Sequence, residues 1–233
     1  MRFIIDNLVK SYGSKEVLKG IDFTFEEGKI YGLLGRNGSG KTTLFNCINR
    51  DIEYNSGAFC FEQDGARRDL LPEDIGYVVS APVVPDFMTG REFLKFFIEV
   101  HEELTDVKPI DEYFDYMKIA EDDRDRLLRD YSHGTKNKMQ MLLNIIARPP
   151  LMLLDEPLTT LDVVVAEEMK NVFRQQKEGR ITIFSTHLLD VAVDLCDEIV
   201  LLNHGKLEKI DINNLDDSAM KDKILNALKD SEE

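Results

Sequence analysis

A chain of 233 residues, 43% hydrophobic and 31% charged, can bury one substantial core and is neither fibrous nor disordered in composition. Its formal net charge of −15 opposes binding to nucleic acid phosphates and to anionic lipid head groups. No apolar run approaches the ~20 residues that cross a bilayer, so a membrane is expected to be reached only through another polypeptide.

The N-terminal segment Arg2-Phe3-Ile4-Ile5-Asp6 lacks the sustained apolar stretch of a signal peptide. Phe3–Val9 and Val17–Phe25 mix apolar and polar positions with β-branched and aromatic residues and predict strands. Lys29–Leu34 reads as a short buried strand, followed by a glycine-rich turn at Gly35–Gly40 and a helix over Lys41–Asn49. Strand-like pieces recur at Ala58–Glu62 and Ile75–Val79.

From Thr89 the period changes. Thr89-Gly90-Arg91-Glu92 has the form of a capping box and precedes Phe93, Phe96, Phe97 and Val100. Helical character continues, with breaks, to Ala147, where Pro149-Pro150 stops it. Leu151–Leu154 then reads as an apolar strand ending in Asp155-Glu156. Helices at Val163–Gln176 and Leu188–Leu195 alternate with strands at Ile181–Ser185, Glu198–Asn203 and Lys206–Ile210. That alternation predicts parallel strands covered by helices. The expected organisation is one domain: an α/β core from residues 1–87 and 149–211, and an all-helical insertion at 88–148. Residues 212–233 read as a terminal helix (Leu215, Ile224, Leu225, Leu228) fading into an acidic tail.

Cys47, Cys60 and Cys196 are odd in number and widely spaced, which offers neither a disulfide framework nor metal spacing; buried reduced thiols are expected. Residues 101–130 hold eleven Asp or Glu against five Lys or Arg, a pattern read as a solvated face.

Gly35-Arg36-Asn37-Gly38-Ser39-Gly40-Lys41-Thr42 fits G-x-x-x-x-G-K-[ST] between a predicted strand and a predicted helix. Glycines let successive backbone N–H groups turn inward and cradle phosphate oxygens, and the helix N-terminus adds positive potential there. Lys41 is placed to reach the β- and γ-phosphates, and the Thr42 hydroxyl to hold Mg²⁺. Thr43 completes the opening of the helix. Asp155 and Glu156, adjacent at the end of an apolar strand, point in different directions and can do different jobs. Asp155 suits Mg²⁺, through a water, and Glu156 suits the attacking water.

With these residues the chain resembles the nucleotide-binding domain of ABC transporters over nearly its whole length. Tyr131-Ser132-His133-Gly134-Thr135 is similar to the family's Leu-Ser-Gly-Gly-Gln signature, and Leu161-Asp162 to its D-loop. His187 matches the switch histidine and Tyr12 the aromatic residue that stacks on adenine. The resemblance implies an α/β fold, with a P-loop NTPase core of mixed sheet, an N-terminal antiparallel β region and an inserted helical subdomain. It also implies ATP hydrolysis with Mg²⁺ in a head-to-tail homo- or heterodimer. There, Ser132 and Gly134 of one copy meet the γ-phosphate held by the other. The permease is expected on a separate chain, with this one cytoplasmic and peripheral on the inner face of the cell membrane.

Two departures stand out. Ser80, in Ile75-Gly76-Tyr77-Val78-Val79-Ser80, occupies the place of the Q-loop glutamine and reaches a metal only through an intervening water. His133, Tyr131 and Thr135 replace the signature's first glycine, leucine and glutamine. The tyrosine-first form resembles bacterial exporters of the ABC-2 type. Two rival readings are a soluble ABC ATPase acting on DNA or ribosomes and a low-activity nucleotide-binding subunit of a heterodimer. The acidic charge and the roughly ninety residues between Lys41 and Ser132 oppose the first. Retention of Glu156 and His187 opposes the second.

Overall fold

The two amphipathic N-terminal runs form long strands, β1 (Arg2–Tyr12) and β2 (Lys15–Glu26), in the computed structural model, which describes residues 1–159, 161–210, 222, 224 and 225. With β4 (Ser56–Gln63) and β5 (Ala66–Asp69) they make an antiparallel sheet in the order β2-β1-β4-β5. Its inner face carries Phe3, Ile5, Leu8, Ile21, Phe25 and Phe59. Pairing slips around residues 6–8, where Asn7 takes φ 46° and its N–H donates to Asp22 Oδ1. Gly57 faces that slip with φ 112°, and any side chain there would meet the backbone of Leu8 at 2.7 Å.

The second sheet runs β10-β9-β3-β8-β7-β6. Here β3 is Lys29–Leu34, β6 Ile75–Val78, β7 Leu151–Asp155, β8 Ile181–Thr186, β9 Glu198–Asn203 and β10 Lys206–Ile210. All its neighbouring pairs are parallel except β9 and β10. Strands β7 and β8 are buried at every residue, as a parallel sheet covered on both faces requires. Leu151, Leu153, Ile181 and Ile183 pack toward the N-terminal sheet and α1 (Lys41–Ile48). Met152, Leu154 and Phe184 face the opposite way. There they meet α5 (His133–Ala147) through Met139 and Leu142, and α6 (Val163–Gln175) through Met169 and Phe173. Because the strands are parallel, the segments after β3, β6, β7 and β8 all emerge at one edge of the sheet.

Between β6 and β7 lie α2 (Gly90–Val100), α3 (Ile110–Tyr116), α4 (Glu121–Arg124) and α5. Thr89 and Glu92 cap α2 reciprocally: the Glu92 N–H donates to Thr89 Oγ1 and the Thr89 N–H to the Glu92 carboxylate. Helix α5 ends at Arg148, in a left-handed conformation, immediately before Pro149. The acidic stretch is organised as well as solvated. Asp111, Asp115 and Asp125 surround Arg91 and Arg124, whose guanidinium groups lie 5.7 and 5.4 Å from the Phe114 ring.

The last helix before β9 is α7 (Leu189–Leu195). Asp222, Ile224 and Leu225 are helical, and Ile224 is buried with Leu34 and Ala192; Leu215, Leu228 and the acidic tail lie outside the described residues. The three cysteines are free. Cys47 is buried, which pushes its thiol up to about 11, while Cys60 and Cys196 are only partly buried.

Gly76 in β6 is where the helical insertion closes on the sheet. A methyl group there would come within 2.2 Å of Asn144 Oδ1 and 2.6 Å of Pro149 Cγ. Asn144 is itself held, its amide donating to the Gln140 carbonyl at 3.0 Å. Gly76→Ala is therefore expected to destabilise the fold by about 1–3 kcal/mol, read as a lower urea midpoint. An unchanged midpoint would mean that this seam yields freely.

Candidate active site

Lys41 is the first residue of α1 and is buried, 5% exposed. Its Nζ donates to the Gly35 carbonyl at 2.7 Å and to that of Arg36 at 3.3 Å, so the loop folds back over the ammonium. Gly40 precedes it at φ 108°, a conformation open to glycine at little cost. Arg36, Asn37 and Gly38 form the exposed crest of the loop, with Ser39 partly buried beneath and Thr43 half-buried behind it on α1.

One residue on, Thr42 Oγ1 donates to Asp155 Oδ2 at 2.9 Å, which ties the head of α1 to the end of β7. Asp155 Oδ1 accepts from Ser185 Oγ at 2.5 Å. Glu156 follows in a left-handed conformation, φ 48°, which costs a non-glycine residue about 1–2 kcal/mol. That turn aims its carboxylate back across the sheet edge. Oε1 lies 3.6 Å from Lys41 Nζ, and Oε2 lies 3.1 Å from His187 Nδ1 and accepts from Thr159 Oγ1 at 3.3 Å. Lys41, Thr42, Asp155, Glu156 and His187 thus form one connected group, drawn from three strand ends. Burial pulls the Lys41 ammonium below the ordinary lysine range, and the Glu156 charge opposes the shift.

A second group lies elsewhere. Ser132 caps α5, its Oγ accepting from the Thr135 N–H at 3.1 Å. Asp162 caps α6, its Oδ1 accepting from the N–H groups of Val164 and Val165 at 3.0 Å each. Gly134 brings these helix starts together: a methyl group on it would lie 3.6 Å from Leu161 and 3.8 Å from Val165. Beside them Val163 and Val164 are exposed. Among the described residues no hydrogen bond or ion pair joins this group to the first.

Two remaining candidates stand apart from both groups. Tyr12 ends β1 half-exposed, with Lys10 Nζ 4.6 Å from its ring centre. Ser80 is exposed just beyond β6 and takes no part in the hydrogen bonds that connect Thr42, Asp155 and Glu156. Sequence reasoning passed over Ser185 and Thr159, both of which hydrogen-bond the carboxylate pair. Nothing local marks them, because their partners are fixed by strand register and by the turn at Glu156.

Among the described residues no cluster of three or more His, Cys, Asp or Glu could cage a metal. Thr42 and Asp155 supply two hard oxygen donors, which suits a cation that takes the rest of its shell from phosphate and water, as Mg²⁺ does.

A strand–glycine loop–helix unit with a lysine at its head and a carboxylate pair ending a neighbouring strand defines a P-loop nucleoside triphosphatase. Residues 18–159 match the family model described as ABC transporter. The chain belongs to that family, as an ATP-binding, ATP-hydrolysing subunit with the ABC ATPase fold. It is 33% identical over 208 residues to an uncharacterised ABC transporter ATP-binding protein of Bacillus subtilis, YdbJ, covering 88% of this chain and 67% of that protein. The lantibiotic transport ATP-binding protein SrtF of Streptococcus pyogenes is 28% identical over 208 residues, or 87% of each chain. A solved structure of an ATP-binding subunit of an ABC transporter superposes with a TM-score of 0.81 at 22% identity, over 97% of this chain and 99% of that one. Among the described residues no helix is long and apolar enough to cross a membrane.

The Lys41–Glu156 approach can be tested without nucleotide. Replacing the carboxylate removes the charge that favours the protonated lysine and leaves burial to act alone. Glu156→Gln is therefore expected to move the Lys41 pKa further down, followed by NMR titration of the lysine side chain. A rise would mean that the two groups are not paired in solution.

Proposed function

We propose that this chain is the ATPase motor of an ABC exporter of the ABC-2 type, working as a head-to-tail dimer with ATP at the interface. The separation of the two residue groups carries the reading. Lys41, Thr42, Asp155, Glu156 and His187 gather at one sheet edge, while Ser132, Gly134 and Asp162 gather at two helix starts with exposed apolar residues beside them. A helix N-terminus with free N–H groups favours an anion, and a second copy turned head to tail supplies one as bound ATP.

In this reading the backbone from Gly35 to Gly40 and the N–H groups at Thr42 and Thr43 hold the phosphates, and Tyr12 stacks on adenine. Lys41 exchanges its loop carbonyls for β- and γ-phosphate oxygens. Glu156 takes a proton from the attacking water, while His187 holds the Glu156 carboxylate and the γ-phosphate in register. Mg²⁺ bound at Thr42 and Asp155 would neutralise charge on the phosphates. Ser80, exposed where the family has a glutamine, reaches that site only through water.

The permease partner is a separate chain, which places this one on the inner face of the membrane. Exposed apolar residues support docking at the insertion and the segment before it. Val83 and Phe87 are exposed in the segment after Ser80, and Phe96 and Val100 are exposed one turn apart on α2. A groove of about 600 Å³ nearby, walled by Tyr77, Phe97, His101 and Leu104, suits a permease helix. Export is favoured by the Tyr131-first signature and is consistent with the similarity to SrtF. Charge argues against nucleic acid as partner.

The test is the mass of purified wild-type and Glu156→Gln protein, with and without Mg-ATP, by light scattering on a sizing column. A Glu156→Gln dimer that forms only with ATP is expected. A monomer that nonetheless binds ATP would overturn the homodimer and point to a different partner subunit.

A further inference from the structure

Ser185 is the penultimate residue of β8, a strand of otherwise apolar or threonine residues, and is completely buried. In the parallel pairing of β7 and β8 it stands directly opposite Asp155. Its single hydroxyl proton goes to Asp155 Oδ1 at 2.5 Å, a charge-assisted bond. Its oxygen accepts from the Glu156 N–H at 3.1 Å, a proton shared with the Ser185 carbonyl at 3.2 Å. Both hydrogen-bonding capacities of this serine therefore fall on the two adjacent carboxylate residues.

The arrangement fixes two things at once. Donation to Oδ1 sets the rotation of the Asp155 carboxylate, so that Oδ2 faces Thr42 at 2.9 Å. Acceptance from the Glu156 N–H holds the start of the left-handed turn that sends the Glu156 side chain toward Lys41 and His187. An alanine in its place would leave Asp155 Oδ1 buried without that donor, and would leave the Glu156 N–H on one weak acceptor.

We infer that Ser185 is a positioning residue of the hydrolytic site, joining the metal-side carboxylate of Asp155 to the base-side backbone of Glu156. It is fully buried and acts through both neighbours. This inference rests on the roles proposed above for Asp155 and Glu156. Groups that orient a metal-ligating residue typically change metal affinity or activity by 10–100-fold when removed.

Three variants separate this role from packing. Ser185→Ala is expected to lower kcat for ATP hydrolysis by about 10–100-fold. It should also raise the Mg²⁺ concentration that half-maximally increases the melting temperature in saturating ATP. Affinity for a fluorescent ATP analogue without Mg²⁺ should stay near wild type, because the phosphate loop is untouched. Ser185→Thr keeps the hydroxyl and is expected to restore the Mg²⁺ midpoint. If the alanine variant does not fold, Ser185→Cys fills the same space with a weak donor and is expected to show the same Mg²⁺ shift. A Mg²⁺ midpoint and kcat equal to wild type in the alanine or cysteine protein would overturn the role of Ser185. So would an equal loss of metal-free nucleotide affinity, which signals a general packing defect. A wild-type protein whose melting temperature ignores Mg²⁺ with ATP would instead sink the site assignment itself.

Discussion

Placing a lysine ammonium at the N-terminus of a buried helix works against two tendencies together. Burial favours the neutral amine, and the positive end of the helix dipole repels a cation. Lys41 is held there by oxygens alone: two carbonyls of its own loop and, a little further away, the Glu156 carboxylate. In the proposed site an incoming triphosphate would relieve both conflicts, since its oxygens suit the lysine and the helix end equally. The glycines let the loop close over the lysine, and the parallel sheet brings Glu156 within reach from another strand. Much of the local architecture answers to that one frustrated charge.

The same constraint explains why the carboxylates lie on β7. Thr42 is adjacent to Lys41 on α1, so whatever pairs with Thr42 must come from a strand whose end passes under the helix. Register places Asp155 there. Continuing as an extended strand would send Glu156 to the other face; the left-handed turn at φ 48° brings it back. Strain of this size persists where surrounding bonds over-determine it. Ser185, Thr159 and His187 supply them.

The glycine loop, the Asp155-Glu156 pair and the Thr89 capping box were legible in the chain because each is contiguous and carries its own residue chemistry. Alternation between strands and helices likewise disclosed the parallel sheet. Strand β5 was missed, since Ala66-Arg67-Arg68-Asp69 is exposed throughout and has no apolar period; β4 and an Arg68–Asp74 ion pair hold it. The short helix α4 falls inside the stretch expected to be helical with breaks, but Glu121-Asp122-Asp123-Arg124, with nothing buried, has no apolar pattern to mark its bounds. The acidic stretch gave only its composition. That Arg91 and Arg124 gather its carboxylates over Phe114 depends on helix packing across the insertion. Ser185 looked like one more residue of an apolar strand. Its partners are set by register with β7, and register is a property of two segments thirty residues apart.

The contacts of Glu156 also suggest a way in which idle hydrolysis is restrained. One oxygen of Glu156 faces Lys41 and the other is shared by Thr159 and His187, so the carboxylate is committed to protein groups. In the proposed mechanism phosphate draws Lys41 away first and frees one oxygen for water. Among the described residues no hydrogen bond or ion pair joins the second group, at Ser132 and Asp162, to the first, so in the proposed dimer closure over that water would fall to a second copy. Exposed Val163 and Val164, at the start of α6, lie beside Ser132 and Gly134, on the surface that a second copy would cover. Apolar burial and a phosphate-facing helix end would then act together. In that reading binding of nucleotide, closure of the dimer and release of Glu156 would become one linked event, and hydrolysis would wait for all three.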